Sequence, residues 1–110
     1  MSQVEEVSVQ QALALIDTGA VLLDVREPEE TTVGLAPGAL VIPMQSFDMA
    51  RVPIDQQIVV ICRSGARSER VAGALIAAGW TAYNLTGGMH AWEAAGQPIL
   101  NSAGEPGFVN

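Results

Sequence analysis

The sequence predicts an α/β domain built around a mainly parallel sheet. Short, continuously apolar segments that end in polar residues are typical of strands buried on both faces of such a sheet. Segments with helical periodicity and a closing glycine lie between them, which gives the alternation of strands and helices found in α/β proteins. The chain has 110 residues, 49% of them hydrophobic, so it is large enough for one domain with its own core.

Eight elements are predicted from local patterns. In chain order they are a helix from Ser8 to Gly19, strands over residues 21–25 and 39–42, a short helix over 45–51, a strand over 58–61, a helix over 68–78, a strand over 82–85 and a helix over 89–95.

The first three elements have recognisable start and stop signals. Ser8 is an N-cap residue with a glutamine three positions later, which is the capping-box pattern, and Gly19 ends the helix. Residues 21–25 form an apolar strand that is followed by polar residues. The turn at residues 36–38 contains proline and glycine and leads into the strand at 39–42.

The second half of the chain repeats this alternation. Residues 58–61 are uniformly apolar and predict a buried strand. The helix over 68–78 has small and apolar residues on one packing face, and Gly79 ends it. The strand over 82–85 is followed by a glycine turn and a last helix, which Gly96 ends.

The carboxyl ends of two predicted strands carry candidate site residues. In open parallel sheets, binding sites lie at this edge. Asp24 and Cys62 both lie at the carboxyl ends of their strands. We therefore expect them to lie close together, although they are far apart in the sequence.

Cys62 is the only cysteine, and its surroundings are typical of a reactive thiol. The net charge of the chain is −7, yet Arg63, Arg67 and Arg70, three of its five basic residues, follow Cys62 closely. Guanidinium groups and a helix N-terminus both favour the thiolate, the nucleophilic form of cysteine. Lowering the thiol pKa by about two from its ordinary value of about 8.5 makes thiolate the majority form at neutral pH. The alternative, a small buried core residue, does not suit the flanking arginines and glycine.

Composition argues against several classes of function. One cysteine and one histidine leave no intramolecular disulfide and no zinc cluster, so neither a metal nor a cofactor is expected. The N-terminus has no secretory pattern, and no apolar run is long enough to cross a bilayer, so we expect a cytoplasmic protein. The acidic balance and the lack of a basic stripe argue against nucleic acid and membrane partners.

Four blocks, in order and at matching spacing, carry a resemblance to a known family. They are Leu23-Asp24-Val25-Arg26-Glu27-Pro28, Gly34-Leu35-Ala36-Pro37-Gly38-Ala39, Cys62-Arg63-Ser64-Gly65-Ala66-Arg67-Ser68 and Leu85-Thr86-Gly87-Gly88-Met89-His90-Ala91-Trp92. The chain resembles the single-domain rhodanese family of sulfurtransferases from about Ser8 to Leu100. The resemblance implies a three-layer rhodanese-like domain over residues 1–100, with a five-stranded, mainly parallel sheet and helices on both faces. Residues 101–110 are expected to be a loosely ordered tail, in which Phe108 is a candidate to dock.

The resemblance also implies an activity and a site. In this family a cysteine thiolate takes sulfane sulfur from a donor such as thiosulfate and passes it, as a persulfide, to cyanide or a thiol. On this sequence Cys62 is the implied nucleophile, and the implied substrate-binding and persulfide loop consists of Arg63, Ser64, Gly65, Ala66, Arg67 and Ser68. The loop amides would curl around the sulfur, and Gly65 permits the close backbone approach. The implied partners are a small anionic sulfur donor and a thiol, cyanide or protein acceptor.

Individual residues leave alternatives open. Arg63 is implied to bind a thiosulfate-type donor, and the alternative is a solvated surface charge. Arg67 either binds the oxyanion of the donor or braces the loop, because bidentate guanidinium geometry serves both. Ser68 either donates a hydroxyl hydrogen bond or is a plain N-cap. Asp24 and Arg26 are expected to form an ionic brace for the loop and to have no catalytic role.

Two other functions compete with sulfur transfer. A cysteine phosphatase of this fold needs Cys-x5-Arg spacing, whereas Arg67 follows Cys62 with Cys-x4-Arg spacing and Ser68 holds the position of the phosphatase arginine. A catalytically idle rhodanese-like module that binds a partner or senses sulfide is disfavoured, since idle members typically lack the cysteine.

The chain departs from the family pattern at three positions outside the cysteine loop. Leu35 and Ala36 stand where the family commonly has histidine and isoleucine, and Thr31 stands where it has an aromatic residue. We expect these departures to alter packing and acceptor access.

Overall fold

The protein folds around a five-stranded parallel sheet. The computed structural model describes residues 3–110. In chain order its elements are β1 (Glu5–Val7), α1 (Val9–Asp17), β2 (Val21–Asp24), α2 (Pro28–Thr31), β3 (Leu40–Val41), β4 (Ile58–Ile61), α3 (Ala66–Ala77), β5 (Ala82–Leu85) and α4 (Gly88–Ala94). The strands pair in parallel in the order β1-β5-β4-β2-β3. None of the helices within residues 3–110 has the length and apolar composition needed to cross a membrane.

Helices cover both faces of the sheet, as the side chains of β4 show. Val59 and Ile61 belong to a core cluster with residues of α1 and α4. Ile58, Val60 and Cys62 belong to a second cluster with residues of α3 on the opposite face. Successive side chains of a strand point to opposite faces, so a strand covered on both sides is apolar throughout. The predicted α/β architecture, with helices on both faces, is confirmed.

The element boundaries agree with the predictions where the signals are local. β4 and β5 have the predicted bounds. At the start of α1, the Ser8 hydroxyl accepts a hydrogen bond from the Gln11 N–H at 3.1 Å, and the Gln11 side chain accepts one from the Ser8 N–H at 2.8 Å. α3 begins at Ala66, two residues before the predicted start, because Gly65 occupies the N-cap position with φ 115°. Ser68 is therefore inside the first turn and is not the N-cap.

The prediction of one short helix over residues 45–51 is wrong. Two separate 3-10 turns, Met44–Ser46 and Met49–Arg51, occupy this segment. Phe47 and Asp48 between them have extended backbone angles, and the Asp48 carboxylate accepts a hydrogen bond from the Ala50 N–H at 3.0 Å. This local side-chain bond offers the backbone an alternative to a continuous helix.

The C-terminal residues run back across the segment that precedes β3. Leu100 pairs with Leu35 in an antiparallel bridge, and the Phe108 N–H donates to the Val33 carbonyl at 3.0 Å. The Phe108 side chain is 56% exposed, so the main chain docks while the ring faces solvent. These contacts show where residues 101–110 lie against the rest of the protein. The expectation that this tail is loosely ordered concerns its motion and stays a prediction.

Candidate active site

Cys62 lies directly after β4, at the edge of the sheet where the parallel strands end. The register pairs Ile61 of β4 with Asp24 of β2, so Asp24 and Cys62 come to the same edge, as the topology argument predicts. Cys62 is a free cysteine and only 1% exposed. A reagent that reaches its sulfur must therefore enter the loop that surrounds it.

The loop that follows Cys62 aims hydrogen-bond donors at the sulfur. The Gly65 N–H donates to Cys62 Sγ at 3.1 Å, and the Ser68 hydroxyl oxygen lies 3.2 Å from the same atom. Gly65 has φ 115°, a left-handed conformation that favours glycine. Because Gly65 is also the N-cap of α3, the sulfur lies at the positive end of that helix. Such a set of donors stabilises an anion at the position of Sγ.

The ionisation of Cys62 reflects two opposing effects. Burial in the loop raises the pKa of the Cys62 thiol, because desolvation disfavours the thiolate. Hydrogen bonds from the Ser68 side chain and from the backbone N–H groups of Ser68, Gly65 and Ser64 lower it further than burial raises it. The net pKa is below that of an ordinary thiol, in the direction predicted from the sequence. The groups that lower the pKa of Cys62 are the hydrogen-bond donors of the loop, and not the charges of the flanking arginines.

Arg67 braces the loop through an ion pair with α2. Its Nη1 and Nη2 atoms donate to Glu30 Oε1 and Oε2 at 2.7 and 2.8 Å. Hydrogen bonds from Arg67 lower the pKa of Glu30 from 4.5 to about 2 despite partial burial. Both outer nitrogens of the guanidinium are thus engaged by a carboxylate. Of the two roles that the sequence left open for Arg67, this geometry favours the brace.

The side chain of Arg63 is exposed on the surface of the loop. Its Nε donates to the main-chain oxygen of Asn110 at 2.5 Å, so the end of the chain lies beside the cysteine loop. Apart from this hydrogen bond at Nε, the guanidinium lies at the protein surface, one residue after Cys62.

Asp24 and Arg26 form a buried ion pair, and both are 0% exposed. Arg26 Nη2 donates to Asp24 Oδ2 at 2.8 Å and to the Gly34 carbonyl at 2.7 Å. The expected brace exists, but its hydrogen bonds reach the Gly34 segment and not the cysteine loop. The reason is that a buried guanidinium needs both a carboxylate and a further acceptor close to its own strand. Among residues 3–110, no three His, Cys, Asp or Glu side chains are placed to hold a metal ion.

The turn between β5 and α4 supports the back of the cysteine loop. The Met89 N–H donates to the Cys62 carbonyl at 2.8 Å, and the His90 N–H donates to the Arg63 carbonyl at 3.1 Å. Gly88 approaches the loop so closely that a Cβ there would lie 2.7 Å from the carbonyl carbon of Arg63. His90 contributes its backbone, and its side chain is exposed.

Three polar residues near the site were not predicted from the sequence. Glu30 pairs with Arg67, and Asn84 and Glu6 form a hydrogen-bonded chain that reaches Ser68. The sequence contains one indication of the role of Asn84, because a polar residue is unusual inside a short buried strand. Glu30 lies in the first turn of a helix that begins at Pro28, a position where acidic residues are favoured.

The three departures from the family pattern occupy different surroundings. Ala36 is fully buried in the core cluster that includes α1 and α4. Thr31 and Leu35 line an open groove of about 430 Å³, together with Pro37 and Leu100. Thr31 and Leu35 thus help to shape a surface beside the C-terminal segment.

Comparisons with known proteins agree with this geometry. A model of the Rhodanese-like domain family matches residues 8–95, which include Cys62 and its whole loop. A sulfurtransferase of Allochromatium vinosum is 39% identical over 108 residues, which cover 94% of this chain and 99% of the relative. The solved structure of a rhodanese-related protein from Thermoplasma volcanium has a TM-score of 0.77 at 25% identity, covering 87% of this chain and 97% of that one. A rhodanese-like domain protein from Staphylococcus aureus has a TM-score of 0.73 at 30% identity, covering 80% and 90%. The chain belongs to the rhodanese-like domain family.

Proposed function

We propose that this protein moves sulfane sulfur from thiosulfate to a thiol or cyanide through a persulfide on Cys62. The observation that carries the proposal is the donor cradle around Cys62 Sγ, with the Gly65 N–H at 3.1 Å and the Ser68 hydroxyl at 3.2 Å. The same donors stabilise a thiolate before the reaction and a terminal anionic sulfur after it. The family membership and the sulfurtransferase name of the Allochromatium vinosum relative support this reaction class.

The reaction takes place in two displacements. The Cys62 thiolate attacks the sulfane sulfur of thiosulfate, the sulfur–sulfur bond of the donor breaks, and sulfite leaves with the bonding electron pair. The enzyme then carries a persulfide anion. A thiolate or cyanide attacks the outer sulfur, which leaves as a persulfide or thiocyanate and returns Cys62 to its thiolate form. With one cysteine in the chain, the persulfide needs an external acceptor.

A small anionic donor suits the site. Cys62 is 1% exposed, which favours a slender donor over a bulky one. Arg63 lies at the exposed side of the loop and offers a positive charge in a chain of net charge −7. A reducing compartment, for which we propose the cytoplasm, keeps the single thiol free.

The phosphatase alternative is less consistent with the loop. A phosphate ester needs an arginine that is free to bind the phosphoryl oxygens, whereas Arg67 is held by both carboxylate oxygens of Glu30. The short Cys-x4-Arg loop also leaves less room than a Cys-x5-Arg loop for a tetrahedral phosphate. The idle-module alternative does not explain the lowered pKa of the Cys62 thiol.

The test is the intact mass of the protein after incubation with thiosulfate and removal of small molecules. We expect a gain of one sulfur atom, which cyanide or a thiol removes with formation of thiocyanate or a persulfide. The Cys62→Ser variant should keep its fold and gain no sulfur. If the wild type gains no mass while its thiol still reacts with an alkylating agent, thiosulfate is not the donor. Hydrolysis of a phosphate ester that depends on Cys62 would favour the phosphatase.

A further inference from the structure

The hydroxyl group of Ser68 lies within hydrogen-bond distance of three acceptors but can donate to only one of them at a time. Its oxygen lies 2.5 Å from Asn84 Oδ1, 3.2 Å from Cys62 Sγ and 3.2 Å from the Gly65 carbonyl oxygen. A serine hydroxyl carries a single proton to donate. The three acceptors therefore compete for it, and Asn84 Oδ1 is the closest.

The orientation of the Asn84 amide is set by groups on its other side. Asn84 is 3% exposed, and its Nδ2 lies 3.1 Å from the Gly65 carbonyl oxygen and 3.0 Å from Glu6 Oε2. Glu6 reaches it because β1 and β5 are neighbours and their register pairs Glu6 with Asn84. Nδ2 is a donor, and both of these partners are acceptors. Rotating the amide by half a turn would place Oδ1 against a carboxylate and a carbonyl, which is unfavourable.

We propose that Asn84 is a positioning residue whose Oδ1 competes with Cys62 Sγ for the hydroxyl proton of Ser68 and so limits the share of that hydrogen bond that the sulfur receives. The Glu6 carboxylate accepts from Nδ2 and fixes the amide in this orientation. The protonated thiol can then donate to Ser68 Oγ, which completes a chain from Cys62 through Ser68 to Asn84. When the thiol loses its proton, the hydroxyl can turn to Sγ only by leaving two oxygens 2.5 Å apart with no proton between them.

This arrangement limits how much Ser68 stabilises the thiolate. The backbone N–H groups of the loop donate to the sulfur without competition, whereas the hydroxyl is shared. Removing the Asn84 acceptor should release the hydroxyl toward Sγ and make the thiol more acidic. Removing the charge of Glu6 should have the same effect, since a neutral partner allows the Asn84 amide to rotate.

Other charges around the thiol must be separated from this effect. The pKa of Arg67 is raised mainly by the hydrogen bonds that it donates to Glu30, and the charges of Cys62 and Asp24 also raise it, so Cys62 and Asp24 both act on Arg67. Charged groups near the loop are Arg67 on α3, Asp24 at the end of β2, Arg26 just after β2, Glu30 on α2, Arg63 in the loop itself and Glu6 on β1. An uncharged replacement of Asn84 changes none of them. A replacement of Glu6 removes one negative charge and therefore needs a charge-matched control.

The test measures the rate of Cys62 alkylation by iodoacetamide against pH, so it requires no sulfur donor and is independent of the proposed reaction. The wild-type midpoint should lie below that of an ordinary thiol. Asn84→Ala should lower this midpoint by about half to one pH unit, the value of one modest hydrogen bond. In a Ser68→Ala background, the same Asn84 replacement should leave the midpoint unchanged. An unchanged or raised midpoint in Asn84→Ala, or an equal fall in both backgrounds, would overturn the proposal.

A second variant keeps the test decisive if the buried Asn84 replacement impairs folding. Glu6 is exposed, so Glu6→Gln is expected to fold. It should lower the alkylation midpoint more than Glu5→Gln, which removes an equal charge from the neighbouring position of β1. The difference between the two variants should disappear in the Ser68→Ala background. Equal effects of Glu6→Gln and Glu5→Gln would show that Glu6 acts only as a distant charge.

Discussion

Replacing Glu30 with glutamine removes the charge from the ion pair that holds the cysteine loop to α2. The Glu30 carboxylate accepts hydrogen bonds from Arg67 Nη1 and Nη2 at 2.7 and 2.8 Å, and these bonds lower its pKa from 4.5 to about 2. A group whose pKa is lower in the folded state stabilises the fold above its unfolded pKa. That contribution is lost as the pH falls from about 4.5 toward 2.

The size of this contribution follows from the lowered pKa. At about 1.4 kcal/mol for each tenfold change in proton affinity, the difference between 4.5 and about 2 corresponds to about 3 kcal/mol. Solvent screening reduces this value, since the side chains of Arg67 and Glu30 are 32% and 15% exposed. We therefore expect Glu30→Gln to lower the free energy of unfolding at neutral pH by about 1–2 kcal/mol.

Urea unfolding of the wild type and of Glu30→Gln across a pH series measures this difference. It should be largest at neutral pH and should lose more than half of its size by about pH 3, because the wild-type carboxylate then takes up a proton on unfolding. Glu29→Gln is the matched control, since Glu29 is an exposed carboxylate in the same helix. A difference that stays constant with pH, or that Glu29→Gln reproduces, would refute the ion-pair explanation.

Two further predictions concern the edge and the back of the cysteine loop. Arg63→Ala should raise the KM for thiosulfate several-fold with little change in kcat. Sulfite release at two ionic strengths measures both constants, and an unchanged KM at both would show that Arg63 does not bind the donor. Gly88→Ala should lower the free energy of unfolding by about 1–3 kcal/mol and slow persulfide formation, because the new Cβ would collide with the Arg63 carbonyl carbon. Gly38→Ala is its control, with φ 83° and no atom within 4 Å of the new Cβ, and equal losses in both variants would mean that only backbone strain matters.

The parts of the fold that the sequence predicts are those with local signals. The apolar strand β4 and the capping box of α1 depend on neighbouring residues, and both were predicted correctly. β1 and α2 have three and four residues, too few to show a period, and neither was predicted. β1 forms a strand because β5 lies beside it, which is a tertiary effect.

The candidate site divides in the same way. The candidate nucleophile Cys62 and the glycine at the turn of its loop are visible in one short segment of sequence. The partners of the loop come from elsewhere in the chain: Glu30 is 37 residues from Arg67, and Asn84 is 16 residues from Ser68. Only the parallel sheet brings these residues together, so their roles could not be predicted without the fold. The sequence left two roles open for Arg67, binding the donor or bracing the loop, because it does not show that Glu30 lies beside Arg67.

Different groups of the loop are expected to lower the pKa of Cys62 and to bind the donor, because one of the two nearby arginines is already paired with a carboxylate. Arg67 is paired with Glu30, and the neutral donors of the loop, the Ser68 hydroxyl and the backbone N–H groups, lower the pKa of the Cys62 thiol. Neutral donors at hydrogen-bond distance are little affected by salt, whereas the attraction of Arg63 for an anion from solvent is screened over about 8 Å at physiological ionic strength. In the proposed reaction, activation of Cys62 and capture of the donor would therefore depend on different groups with different salt sensitivities. This is why the Arg63→Ala comparison at two ionic strengths separates them: salt and the loss of Arg63 should both act on KM, while the alkylation midpoint of Cys62 stays close to its value in the wild type.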